Sequence, residues 1–210
     1  MYLLGAGFAK NVGIGAGIGY TSVNSSVLAN LSAIVSAPSV TVAAVVKDAS
    51  TGPYGGKTID TEAIAGGAAL YFGAQAAVAV GNVANTVTAQ LGGQITGTGG
   101  TGVAVMAQDS STQVVFTGGV TGGAAAVGAS VATAGRSSSV AAKVLDDATV
   151  NVSTLAVGAS GAGRLSTTAT ALGGGILAGV GADAEAHGNS NVTAEIGSGS
   201  SITTLSLIHI

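Results

Sequence analysis

Residues 24–31 read Asn24-Ser25-Ser26-Val27-Leu28-Ala29-Asn30-Leu31, and this phrase returns three times with substitutions, at residues 84–91, 137–144 and 189–196. The four aligned valines are 60, 53 and 52 residues apart: Val27, Val87, Val140 and Val192. Self-similarity at a nearly fixed spacing indicates that one supersecondary unit is used several times. The chain is therefore expected to hold four tandem modules that repeat every 52–60 residues, with approximate bounds at residues 1–37, 38–92, 93–147 and 148–204.

The repeated unit is longer than the phrase. A glycine-led run of small residues precedes it, as in Gly66-Gly67-Ala68-Ala69, Gly122-Gly123-Ala124-Ala125 and Gly173-Gly174-Gly175-Ile176. Copy one carries only a degenerate version, and an insertion around residues 52–56 lengthens its link to copy two. Nearly the whole chain thus belongs to the repeat.

Apolar residues fall two positions apart in every phrase, which is the period of a β-strand. The predicted inward core consists of these twelve residues: Val27, Ala29, Leu31, Val87, Ala89, Leu91, Val140, Ala142, Val144, Val192, Ala194 and Ile196. Residues 61–65 could also form a helix, but the many β-branched residues and glycines favour a strand there too. We therefore expect strands along the whole chain.

Short strands in tandem modules with small inward residues predict an all-β fold, a parallel β-helix or β-solenoid whose strands stack about 4.8 Å apart. Because strands commonly have about 5–6 residues, each module is expected to make two or three coils. The positions outside the apolar alternation are expected to face solvent: Asn30, Gln90, Lys143 and Glu195.

Composition excludes several classes of protein. Only 7% of the residues are charged and 3% aromatic, while glycine occurs 36 times and the mean hydropathy is +0.62. The six Lys and Arg residues are scattered, so no basic patch for a nucleic acid is expected. The absence of cysteine excludes disulfides and zinc sites of the Cys type.

A membrane-spanning helix is not expected either. Residues 63–108 are uncharged, but glycine and polar side chains interrupt them where a spanning helix needs about 20 predominantly apolar residues. The first residues, Met1 to Gly5, lack the basic region of a signal peptide. The chain as a whole is thus expected not to insert into a membrane.

Three stretches carry polar or glycine-rich patterns that could mark a site. Gly97 to Gly102 fits G-x-G-x-x-G, but no βαβ unit surrounds it and a turn is expected. Asp183, Glu185 and His187 alternate on one strand face, as a metal ladder or, in the favoured interpretation, as a solvated face. Residues 146–147 are two aspartates, too few oxygen ligands for calcium, and predict a turn. No catalytic, cofactor-binding or metal-binding residue is predicted, and no cofactor.

The glycine-led run of residues 122–132, followed by a phrase such as residues 189–196, resembles the tandem repeats of very large bacterial filamentous adhesins. It is most similar to the leukotoxin-type group, which is related in style to filamentous haemagglutinins. The resemblance covers residues 1 to about 204. It implies export across a Gram-negative envelope, a β-helical stalk on the cell surface, and attachment to host cells or other bacteria.

On this hypothesis the chain is a non-enzymatic stalk segment that packs against adjacent repeats of a longer chain and promotes attachment through length and stiffness. One alternative is a ligand-binding solenoid for ice or glycans, which would need an outward threonine ladder such as residues 167–170 suggest. A polysaccharide-degrading β-helix is a further alternative, but it would need clustered acidic and basic residues on one face.

The last six residues, 205–210, break the repeat and resemble the translated read-through of a sequencing adapter. They are expected to be a non-native tail.

Overall fold

The computed structural model describes residues 2–47 and 59–209, and within these ranges the chain forms strands, turns and short connections without a helix. The ten strands are β1 (Tyr2–Ala9), β2 (Val12–Val46), β3 (Ile59–Ala69), β4 (Phe72–Asp109), β5 (Thr112–Gly122), β6 (Ala125–Val144), β7 (Thr149–Gly161), β8 (Arg164–Gly174), β9 (Leu177–Ile196) and β10 (Ser201–His209). Residues 61–65 lie in β3, so the preference for strand over helix is confirmed. In the part of the chain that the structure describes, no helix is long and apolar enough to cross a bilayer.

Every strand pairing in the described ranges is parallel, and each strand pairs with its counterpart in a neighbouring module. One sheet has the order β1-β3-β5-β8, and the long strands β2, β4, β6 and β9 pair in that order in another. β7 and β10 extend the second half of β4 in the same way. The expectation of an all-β fold with parallel strands is confirmed.

Each repeat of the sequence supplies one hydrogen-bonded layer of the fold, and the layers are offset from the predicted module bounds, since β4 (Phe72–Asp109) crosses the bound between residues 92 and 93. Layer 1 consists of β1 and β2, layer 2 of β3 and β4, layer 3 of β5 to β7, and layer 4 of β8 to β10. The expectation of two or three coils per module is wrong, because each phrase pairs directly with its next copy, as Val87 does with Val140, so one repeat makes one layer.

Two apolar clusters show how the chain is folded within a layer. Against the first half of the long strands pack the strands β3, β5 and β8, around Ala63, Ala79, Val115, Ala132 and Ala134. A second cluster, around residues such as Leu91, Ile95 and Leu155, joins the second half of the long strands to β7 and to the C-terminal ends of β2 and β4. The chain then steps to the next layer at two short connections that we call the seam, residues 110–111 and 162–163.

Glycine sets the distance between the facing strands of the first half. A Cβ atom added at Gly15 would overlap the backbone oxygen of Gly66, and one added at Gly67 would overlap that of Ala74. At these glycines, backbone therefore packs directly on backbone. The larger Val127 of this half points outward and is 45% exposed.

The aligned valines form one column, since Val27 pairs in register with Val87, Val87 with Val140, and Val140 with Val192. In layers 2 and 3 all six predicted core residues are buried: Val87, Ala89, Leu91, Val140, Ala142 and Val144. In the outer layers Val27, Ala29, Leu31 and Ala194 are partly buried against them.

Two residues of the predicted core lie at the surface instead. Val192 and Ile196 are 44% and 37% exposed. The reason is that β9 pairs only with β6 within the described residues, so no second layer covers its other side.

The six-residue tail does not interrupt the fold as far as it is described. β10 continues to His209, which pairs in register with Val157 of β7. The insertion around residues 52–56 lies outside the described residues.

Candidate functional site

The G-x-G-x-x-G stretch lies within β4, where the ladder is irregular. Gly97 pairs with Ala37 but Gly102 pairs with Ser39, so β4 carries extra residues at this point. Pro38, which has no N–H to donate, lies opposite, and Gly100 has a positive φ of 86°. The expected turn is therefore a bulge within a strand, and no helix follows it to hold a phosphate.

Asp183, Glu185 and His187 project from the exposed outer face of β9, aligned with Val131, Thr133 and Gly135 of β6. His187 Nε2 lies 2.7 Å from Glu185 Oε1, with both side chains more than half exposed. In the described ranges no three His, Asp or Glu side chains come together as metal ligands. The arrangement is that of a solvated strand face.

The two adjacent aspartates form the predicted turn between β6 and β7. Asp146 Oδ1 accepts a hydrogen bond of 2.8 Å from the backbone N–H of Ser198, in the next layer. Asp147 has a φ of 56°, in the left-handed region that turn residues adopt. This carboxylate therefore ties two stacked turns together.

The structure also holds a buried cluster of polar side chains that the sequence patterns did not predict. Asp109 at the end of β4 is fully buried, and Arg136 of β6 donates to its Oδ2 at 2.7 Å. Ser138 donates to the same oxygen at 2.6 Å and Asn85 at 3.0 Å, while the backbone N–H of Ser111 donates to Oδ1 at 3.0 Å. We call these five residues the seam cluster.

Hydrogen bonding governs the protonation of Asp109. Burial alone would raise the pKa of this carboxyl, because it disfavours the charged form. Hydrogen bonds from Ser138, Ser111 and Asn85 outweigh burial and hold the pKa well below the usual aspartate range. Asp109 is thus an ionised group in the interior, and the guanidinium of Arg136 supplies the opposite charge.

The seam cluster links two layers at the point where the chain passes from one to the other. Asp109, Asn85 and the seam residue Ser111 come from layer 2 and the connection that leaves it, and Arg136 and Ser138 come from layer 3. The guanidinium fills the space beside Gly163 of the next seam connection, where any Cβ atom would overlap it. All five residues of the seam cluster are buried.

One signal in the sequence could have revealed the cluster. Arg136 and Ser138 lie an even number of residues before the inward Val140 of β6, so all three side chains lie on the same face of the strand. Asp109 likewise shares a face of β4 with the inward Val105. A charged residue at an inward strand position is costly unless it is paired. The pattern therefore pointed to a buried ion pair, although it could not name the partner.

A shallow groove of about 730 Å³ crosses the outer face of the long strands. All four layers contribute to it, at positions that are paired in register: residues 22–24, 82–84, 135–137 and 186–189. The groove therefore runs along the stacking direction, perpendicular to the strands. Asn and Ser side chains provide most of its polar lining.

The described residues thus contain one buried ionic cluster and one polar groove that spans the layers. Comparison of the chain with protein-family models, with curated proteins and with solved structures found no match.

Proposed function

We propose that this chain is a structural stalk segment of a secreted, cell-surface filamentous adhesin of the leukotoxin type, and that its fold is a parallel β-solenoid of four coils. The segment is not an enzyme and binds no cofactor. It promotes attachment to host cells or other bacteria by holding a distal part of a longer chain away from the outer membrane. The observation that supports this proposal is the in-register pairing of each module with the next.

In-register stacking provides stiffness for a physical reason. Each layer rests on its neighbour through long backbone ladders, so bending the stack would stretch many hydrogen bonds together. Stability then comes chiefly from contacts between neighbouring repeats. Each layer adds only about 4.8 Å of length, so a long stalk requires many modules.

The uncovered apolar residues of β9, in layer 4, support a role for adjacent repeats as partners. Val192 and Ile196 continue the buried column of layers 2 and 3 but have water on one side. A further module stacked in the same register would bury them. Adjacent repeats of a longer chain are the simplest partner with the matching column of Val, Ala and Leu or Ile.

Neither ice binding nor polysaccharide degradation gains support from the arrangement of side chains. An ice-binding face needs threonines stacked across layers, but Thr168 pairs in register with Phe116, and Phe116 with Glu62. A polysaccharide-degrading site needs clustered charges, but Arg136 is buried with Asp109. Glycan binding without catalysis is considered separately below.

The stalk proposal predicts how tandem copies of the chain extend. Fusions of one, two and three copies, joined by short Gly/Ser linkers, would be measured by small-angle X-ray scattering. A continuous stack should lengthen by about 19 Å per copy, four layers at about 4.8 Å each, with a constant cross-section. Copies that behave as separate beads on flexible tethers would contradict the proposal.

The surface location requires its own test. Antibodies raised against the purified chain should label intact cells that express the native gene. Labelling only after cell lysis would contradict an extracellular stalk.

A further inference from the structure

The polar groove combines two outward columns of side chains from four layers. One column runs Ser22, Asn82, Gly135 and His187, and the other runs Asn24, Ala84, Ser137 and Asn189. Asn24, Asn82, Ser137 and Asn189 are exposed and make no side-chain hydrogen bond to any other described residue. Their amides and hydroxyls are thus available to a ligand.

The lining of the groove is almost free of charge. Although Arg136 lies in its floor, the side chain points inward to Asp109. His187 at one end already pairs with Glu185. A polyanion, which needs a row of cationic side chains, finds none here.

A glycine in layer 3 leaves room in the groove for the side chain of Asn82. A Cβ atom at Gly135 would lie 2.5 Å from Asn82 Oδ1, so the amide of Asn82 extends across the gap that glycine leaves. Tyr20, two residues before Ser22 on the same outward side of β2, is 57% exposed. An aromatic ring beside amide groups suits a ligand with both hydroxyl groups and apolar C–H faces.

We propose that this groove binds an uncharged linear glycan that lies along the stacking direction. Successive hydroxyl groups of the glycan would bond the amides of Asn24, Asn82 and Asn189, while a sugar ring packs against Tyr20. The layer spacing of about 4.8 Å is similar to the length of one pyranose unit, so neighbouring layers can contact neighbouring sugars. This site goes beyond the stalk role, in which the segment itself contacts no ligand.

A peptide strand fits the groove less well. Peptides that bind sheets usually add to a free strand edge through backbone hydrogen bonds. In the described residues the groove crosses the faces of β2, β4, β6 and β9, and both edges of the central strands β4 and β6 are paired with other strands. The polar contacts must therefore come from side chains, which suits a polyhydroxylated ligand.

The test uses the full chain with cellohexaose as the neutral probe and hexagalacturonate as an anionic probe of equal length. Asn82→Ala removes the central amide. Thr86→Ala is the matched control, because Thr86 is exposed on the same face of β4 but outside the groove. Isothermal titration calorimetry gives the affinities, and circular dichroism verifies that both variants are folded.

Cellohexaose is expected to bind saturably, with affinity lost or reduced about tenfold in Asn82→Ala, the effect of one lost hydrogen bond, and unchanged in Thr86→Ala. Hexagalacturonate should bind more weakly. The proposal is overturned if cellohexaose shows no saturable binding, if Asn82→Ala binds it as well as the wild type, or if the anionic probe binds as tightly. None of these outcomes affects the stalk proposal, which depends on the scattering experiment.

Discussion

Replacing Arg136 by methionine should destabilise the fold more than the loss of a partly exposed charge such as that of Lys143. The side chain of Arg136 is 6% exposed and that of Asp109 is 0% exposed, with 2.7 Å between Nη2 and Oδ2. Methionine fills similar volume but leaves the Asp109 carboxylate buried without its counter-charge. Breaking a buried ion pair from one side costs about 3–5 kcal/mol.

We expect the lower end of that range for Arg136→Met. Asp109 keeps the hydrogen bonds from Ser138, Asn85 and the backbone of Ser111, which still stabilise the negative charge. The free energy of unfolding should therefore fall by about 3 kcal/mol. Urea denaturation followed by far-ultraviolet circular dichroism measures this change.

Lys143→Met is the matched control, since it removes a charge from the same strand, β6. Lys143 Nζ lies 2.6 Å from Glu195 Oε1, but the two side chains are 33% and 45% exposed. A pair of this kind contributes about 0–1 kcal/mol. The two variants thus lose ion pairs that differ mainly in burial.

A second variant checks the cause of the loss. The double replacement of Asp109 by leucine and Arg136 by methionine removes both charges, so it should be more stable than Arg136→Met alone, because apolar replacement of a whole buried pair is often neutral. The burial argument is refuted if Arg136→Met costs no more stability than Lys143→Met. It is also refuted if the double variant loses as much stability as Asp109→Leu and Arg136→Met, measured separately, lose in sum.

Three further predictions concern pH, close packing and the valine column. Because the pKa of Asp109 is lowered in the fold, its contribution to stability is complete above the unfolded value of about 3.9 and is lost as the pH falls toward the lowered value. Acid titration of stability should therefore be steeper for the wild type than for Asp109→Asn, and parallel curves would mean that the carboxylate is not specially stabilised. Gly15→Ala should cost about 1–3 kcal/mol by forcing the facing strands apart, whereas Gly181→Ala, which has open space at its Cβ, should be nearly neutral; equal melting temperatures would contradict this. Val87→Asp buries an unpaired charge at a fully buried site and should cost several kcal/mol, but Val192→Asp, 44% exposed, much less; similar losses in urea denaturation would show that the column is not buried as described.

The repeat and the strands were predictable because both are local properties. Alternation of Val, Ala and Leu or Ile in residues 87–91 is visible without knowledge of any partner strand. In-register pairing of the four phrases follows from the repeat, since identical faces are buried only when like residues stack. The turn at residues 146–147 was predictable for the same reason, as two adjacent aspartates suit a turn.

The number of layers per module could not be predicted in this way. Alternation shows that a segment is extended but not where it bends, and the turn signals inside β2 and β4, Pro38 and the stretch Gly97–Gly102, mark a bulge and not the end of a coil. The average strand length then gave the wrong coil count. The inward side of the first half of the long strands could not be predicted either, because it depends on which strands pack against it.

The seam cluster is the clearest case of a site formed by the tertiary structure. Arg136 and Asp109 are 27 residues apart, and Ser138 and Asp109 are 29 residues apart. Strand alternation marked each residue as inward, but only the step of the chain from layer 2 to layer 3 brings their side chains together. The polar groove has the same origin, since no single module contains its columns.

The sequence by itself determined that this protein is extended, repetitive and stacked in register, because strand period and repeat spacing are encoded in neighbouring residues. Only the tertiary structure decided that one module makes one layer, that glycines bring backbone onto backbone at Gly15 and Gly66, and that Asp109 is ionised in the interior. These features depend on which strands face each other across the fold, and that depends on the whole chain.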